Sequence, residues 1–135
     1  MLELSEIAAL REGRRDPILV GEFPLVVQDA LKLKVNSVYI SLASLKHIER
    51  RHTDVTDFDL LLLPVVLRNG LYLQEKTKRN IIISSYHDSI SGRRFVAVSK
   101  IAANKFEIYV SSFYRTKPRQ TRRFLERCEI IRTHI

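Results

Sequence analysis

The sequence predicts an α+β domain in which N-terminal helices pack on a four-stranded antiparallel sheet and a C-terminal helix follows. Apolar residues recur at helical spacing up to Gly70, the period then drops to two, and the later linkers are too short for parallel crossovers. A chain of 135 residues, 45% of them apolar, can bury one core but not two ordinary ones, so a single domain over residues 1–135 is expected.

Glu3 to Arg11 reads as a short helix that offers Leu2, Ile7 and Leu10 to one side and is closed by Gly13; Ile18-Leu19-Val20 reads as a short strand. Pro24 opens a helix reaching Leu33, because proline costs least in a first turn where its missing N–H has no partner. Val38-Tyr39-Ile40 is extended, and Ser41 caps a helix over Leu42 to His52. From Asp57 or Asp59 an apolar segment runs to Leu67 and stops at Asn69-Gly70. Four strands are then expected as a meander, at Leu71 to Gln74, Asn80 to Tyr86, Arg93 to Ser99 and Phe106 to Phe113. Pro118 favours a last helix through Arg127, and Glu129 to Ile135 either adds an edge strand or trails off.

Composition narrows the function. The longest apolar run, Leu60 to Leu67, is broken by Pro64 and falls far short of the roughly 20 residues of a membrane-spanning helix. Met1 to Glu12 mixes acidic and apolar residues without a basic leader, so a cytoplasmic location is expected. Cys128 is the only cysteine, which leaves no internal disulfide or cysteine-based zinc site and fits a reducing compartment. Charge is unevenly spread. Residues 1–67 hold 8 Lys and Arg against 10 Asp and Glu, whereas residues 68–135 hold 15 against 5, so the net +8 resides in the strand-rich half. That half is the expected polyanion-facing part, and charge alone does not choose between DNA, RNA and an acidic protein.

The stretch Lys46-His47-Ile48-Glu49-Arg50-Arg51-His52 sets two imidazoles among cations. Neutral imidazole moves protons near physiological pH, and fixed cations stabilise charge building on phosphorus. His52 continues the inward stripe of Leu42, Leu45 and Ile48, and His47 lies about 140° around the axis, so the two do not share a metal ion. Each also has a structural reading, His47 as a solvated helix residue and His52 as a C-terminal cap favoured by the dipole. In the last strand, burying Phe106, Ile108 and Val110 puts Lys105, Glu107, Tyr109, Ser111, Phe113 and Arg115 on the other face. There Tyr109 or Phe113 would stack on a ribose-phosphate, Ser111 would donate to a phosphate oxygen, and Arg115 would grip it. Lys100 follows Val96 and Val98 at the same parity, beside Arg94, and projects at the sheet's end. Arg51, Lys76, Lys78, Arg79, Arg93, Arg94, Arg119, Arg122 and Arg123 are candidate phosphate-tracking residues. No glycine-rich phosphate loop is present, and the few carboxylates of the strand-rich half argue against a divalent-metal nuclease, so neither cofactor nor metal is expected.

The order Val38-Tyr39-Ile40-Ser41, Lys46-His47, Arg51-His52, Arg94 to Lys100 and Tyr109 to Arg115 resembles phage-associated domains of the barnase, EndoU, colicin nuclease and RelE-like (BECR-fold) superfamily, over about residues 36–116. The resemblance implies leading helices before a four-stranded antiparallel sheet and metal-independent ribonuclease activity. It also implies functional correspondence for His47, His52, Lys100 and Ser111, the last standing where threonine is commoner, with Arg115 as a basic phosphate ligand. The expectation is therefore an endoribonuclease, a toxin or phage-encoded effector that cleaves RNA by 2′-oxygen attack and has a cognate antitoxin or immunity protein as partner. Two alternatives stand beside it: a non-catalytic nucleic-acid-binding module, and a structural phage-related protein whose basic face docks an acidic partner.

Overall fold

A computed structural model describes residues 1–131. The elements are α1 (Leu4–Arg11), β1 (Ile18–Glu22), α2 (Leu25–Ala30), β2 (Ser37–Ile40), α3 (Leu42–Arg51), α4 (Asp57–Leu60), α5 (Leu63–Asn69), β3 (Leu71–Glu75), β4 (Ile81–His87), β5 (Arg94–Ile101), β6 (Ile108–Thr116), α6 (Pro118–Arg127) and β7 (Cys128–Ile130). The class is α+β, as predicted, but the expected four-stranded antiparallel sheet is a seven-stranded mixed one, ordered β1-β2-β6-β5-β4-β3-β7. The meander β3 to β6 forms its centre. The hairpin-like pair β1–β2 adds to one side through a parallel pairing of β2 with β6 at Tyr39 and Tyr109, and β7 closes the other side against β3. Turn lengths reveal which neighbouring strands pair, whereas the docking of β2 on β6 joins segments some seventy residues apart and leaves no periodic trace. The edge-strand expectation for Glu129 to Ile135 is met by β7 as far as Ile130, and residues 132–135 lie outside the described part. Among the described residues no helix is long and apolar enough to cross a membrane.

Local chemistry explains the helices. The Ser41 side chain accepts from the Ser44 N–H at 3.2 Å, capping α3 as its sequence predicts, and Leu45 and Ile48 are fully buried beneath it. The apolar segment after Asp57 splits in two: Thr56 and Asp59 form a reciprocal capping box on α4, and Pro64 occupies the first turn of α5. Gly21 lets α5 lie close on β1, since a Cβ there would stand 2.9 Å from Leu67 Cδ1 and 3.1 Å from the Pro64 backbone.

Both faces of the sheet are covered, unequally. α1 to α5 bury one face around Phe23, Leu45, Leu63, Leu67, Phe95 and Phe113. On the other face, among the described residues, α6 alone of the helices packs, setting Phe124 against Leu73, Ile83, Val96 and Cys128. This two-sided cover accounts for Ile82-Ile83-Ser84-Ser85 in β4, four consecutive buried residues where a half-solvated strand would alternate. Ser84 satisfies its hydroxyl by donating to the Val66 carbonyl at 2.7 Å.

Candidate nucleic-acid interface

One irregularity in β6 decides which side chains the open face presents. Val110 pairs with Ser99 and Ser112 with Val98, so Ser111 is an extra residue, a β-bulge. Beyond it the alternation is reset: Ile108, Val110, Phe113 and Arg115 turn toward the helices, and Tyr109, Ser112 and Tyr114 turn away. The uninterrupted alternation expected for this strand therefore fails after Val110, and Phe106, expected in the core, lies exposed ahead of the strand. Phe113 is not a stacking platform; it is fully buried, its ring parallel to Phe95 at 5.5 Å between centroids. Arg115 is not available to a phosphate on that face, since its Nε and Nη2 both donate to Asp59 Oδ2, at 2.9 and 2.6 Å. Asp59 is only 3% exposed, so this guanidinium is held by a desolvated carboxylate that also caps α4. Ser111 donates its hydroxyl to the Val98 carbonyl at 3.2 Å, leaving the neighbouring serine as the hydroxyl directed to the site.

That neighbour meets a histidine. α3 packs beside β6 and ends at His52, whose N–H still donates to the Ile48 carbonyl at 2.8 Å while its own backbone leaves the helical region. The ring then lies over Tyr114, centroids 4.7 Å apart and planes 23° from parallel, and Nε2 stands 3.4 Å from Ser112 Oγ, at the long end of hydrogen-bonding reach. Burial pushes the imidazole below its ordinary value, His47 and Arg51 add cationic repulsion in the same direction, and Asp54 opposes them. His52 thus has the position of a C-cap but not the charge a dipole-bound cap would carry; its surroundings favour neutral imidazole. Burial likewise raises the Tyr114 hydroxyl, with the nearby Arg127 of α6 acting against it.

Of the other predicted residues, Lys100 is exposed on this face, paired across strands with Tyr109 and Ile81 and about 7 Å of strand from Val98, the partner of Ser112. Tyr109 is half-buried beside it. Arg51, exposed, immediately precedes His52, and Arg94 shares the face at the opposite end of β5, opposite His87 and Thr116. His47 is half-buried in mid-α3 and reaches His52 through its charge. Lys76 and Lys78 are exposed on the β3–β4 turn, at the Lys100 end of the sheet, whereas the neighbouring Arg79 is paired with Glu129 at 3.0 Å. Arg93 leans the other way, 3.9 Å from Asp59.

The face thus bears His52, Lys100, Tyr109 and, at the far end of β5, Arg94 of the predicted set, with Arg51 next to His52 in the chain, and excludes Arg115 and Phe113. Sequence reasoning missed Ser112, Tyr114 and Tyr39. The signal for the first two was present: Val110 and Phe113 are three apart with two serines between, a spacing that regular alternation of apolar residues cannot produce. Among the described residues no three histidine, cysteine or carboxylate side chains converge as a metal site would need. No family model, curated protein or solved structure matches the chain.

Proposed function

We propose that this protein is a metal-independent endoribonuclease whose site is the open sheet face at the end of α3. The observation carrying the reading is the meeting of His52, biased toward its neutral form, with the Ser112 hydroxyl on the face that also bears Lys100. In this reading His52 takes the proton of an RNA 2′-hydroxyl and the 2′-oxygen attacks phosphorus. The bond from phosphorus to the 5′-oxygen then breaks, and the leaving oxygen takes a proton from water on the open side. Ser112 donates to a non-bridging oxygen, and Lys100 balances the charge of the phosphorane. The products are a 2′,3′-cyclic phosphate and a free 5′-hydroxyl. The assay is degradation of end-labelled RNA in excess chelator: cyclic-phosphate ends that vanish in His52→Ala and persist in His47→Ala support the scheme. Undiminished cleavage in His52→Ala overturns it.

One observation favours a second reading. With Arg115 bound to Asp59, the guanidinium that the resemblance would use on phosphate is occupied, and the remaining cations and hydroxyls of the face serve equally for binding without turnover. That module would bind RNA with steep salt dependence, leave it intact, and be indifferent to His52→Ala.

A further inference from the structure

Across the part of the sheet that α6 leaves open runs one continuous row of side chains from five strands. Leu19 pairs with Tyr39, Tyr39 with Tyr109, Tyr109 with Lys100, and Lys100 with Ile81. Tyr39 is 37% exposed and Leu19 45%, although their strand neighbours Ile18, Val38 and Ile40 are buried on the other face. The two tyrosine rings are 6.2 Å apart and tilted by 45°, so neither covers the face of the other. In the same molecule Phe95 lies on Phe113 and His52 on Tyr114 in stacked pairs. Among the described residues, Tyr39 and Tyr109 are thus neighbouring rings with no ring stacked on either, on a face that also bears Lys100.

We infer that Tyr39 and Tyr109 form a nucleobase-stacking platform that restricts the substrate to single-stranded RNA; this rests on the ribonuclease reading above. Bases in a duplex have both faces covered by their neighbours, whereas an unpaired base can lie flat on a tyrosine, and such stacking tolerates any base because each has a π-face. Lys100, directly across from Tyr109, lies on the path from the stacked nucleotide to the scissile phosphodiester whose charge it balances. Ser112 and His52 follow along β6 across the bulge, about 7 Å of strand away, so the stacked base sets which neighbouring phosphodiester comes to the imidazole.

The test uses the native chain and a fluorescent 2′-O-methyl oligonucleotide, which cannot be cut by 2′-oxygen attack, free or annealed to its complement, at one salt concentration. Anisotropy should give at least about tenfold tighter binding to the single strand. Tyr39→Leu and Tyr109→Leu, which keep apolar area but remove the π-face, should each weaken single-strand binding about tenfold, about 1.4 kcal/mol, and leave duplex binding unchanged. Tyr39→Phe and Tyr109→Phe should stay within about twofold of native, since phenylalanine keeps the ring. Tyrosines that merely hold strands together would not move the ratio of single-strand to duplex affinity. Equal affinity for the two forms, or leucine variants that bind like native, overturns the platform. Cleavage by these variants separates the two ideas: binding through the tyrosines without any cleavage removes the ribonuclease and keeps the platform, and cleavage indifferent to both leucine changes does the reverse.

Discussion

On the helix-covered side of β6, Arg115 is held by a buried carboxylate and Phe113 by a parallel phenyl ring; on the other side Tyr114 carries an imidazole, while Tyr109 meets only the tilted ring of Tyr39 among the described residues. The two sides are built from the same nine-residue strand, and residues of similar chemistry have opposite fates on them. What separates them is the bulge at Ser111, which lets a strand that begins with Ile108 and Val110 inward continue with Phe113 and Arg115 inward after two serines. The covered face uses its charge for structure. The open face leaves Lys100 exposed and its tyrosine rings partly so.

The most severe break of this contrast is a one-residue insertion between Ser112 and Phe113. It would turn Phe113 and Arg115 outward and Tyr114 inward. Losing a buried phenyl costs roughly 3–5 kcal/mol and unpairing a buried carboxylate about as much again, against a total stability of about 5–15 kcal/mol. The insertion variant should show no cooperative urea transition. Deleting Ser111 instead leaves Val110 and Ser112 at alternating positions in a regular ladder, and should keep a cooperative transition at a cost of about 1 kcal/mol. If the insertion is tolerated and the deletion is not, the bulge has been misassigned.

Next in size is chemistry on the open face. His52→Ala should lower cleavage by about 10²–10⁴, the range of a general base. Ser112→Ala should lower it by about tenfold or more, the worth of one hydrogen bond to a charged oxygen, and Ser111→Ala should leave the rate unchanged. Equal losses for the two serines would mean that the bulge does not direct one of them alone to the site. On the covered face, Asp59→Ala strands Arg115 and removes the reciprocal cap of α4, so we expect about 3 kcal/mol of destabilisation. Lys100→Ala should change stability by less than about 0.5 kcal/mol while slowing cleavage. Chemical denaturation and initial rates on both variants decide whether structure and function divide between the faces in this way.

How much of this was legible depends on the range of the interaction. The strands β3 to β6 lie within a residue or three of their predicted limits, and α3 begins at its predicted serine, because turns, caps and alternation are local. The parallel docking of β2 on β6 was not legible, since nothing in Val38-Tyr39-Ile40 names Tyr109 as its partner. The same holds for the site. His52, Lys100 and Tyr109 were named from residue type and lie on the open face; Tyr39 joins them only through that long-range pairing. Arg115 was misread because alternation, carried unbroken past Val110, put it on the wrong side.

The smallest expected effect is the finest probe of how the open face treats its imidazole. Burial against Tyr114, reinforced by His47 and Arg51 and opposed by Asp54, holds the His52 titration below the ordinary 6.5. The folded chain therefore binds this proton less readily than the unfolded chain does. Its contribution to stability is present above 6.5 and is lost as pH falls from there through the lowered folded value, because in that window the unfolded state takes up more protons. As general base the ring must be neutral, so the acid limb of the kcat/KM profile should lie below 6.5. Tyr114→Ala opens the ring to water and should move the limb upward toward that value, whereas Tyr109→Leu, distant along the strand, should leave it in place. Proton NMR of the His52 ring in native and Tyr114→Ala protein reports the same shift without catalysis. A native ring titrating at or above 6.5 would mean that the stacked tyrosine does not desolvate it, and the open face would then hold a cationic cap rather than a base.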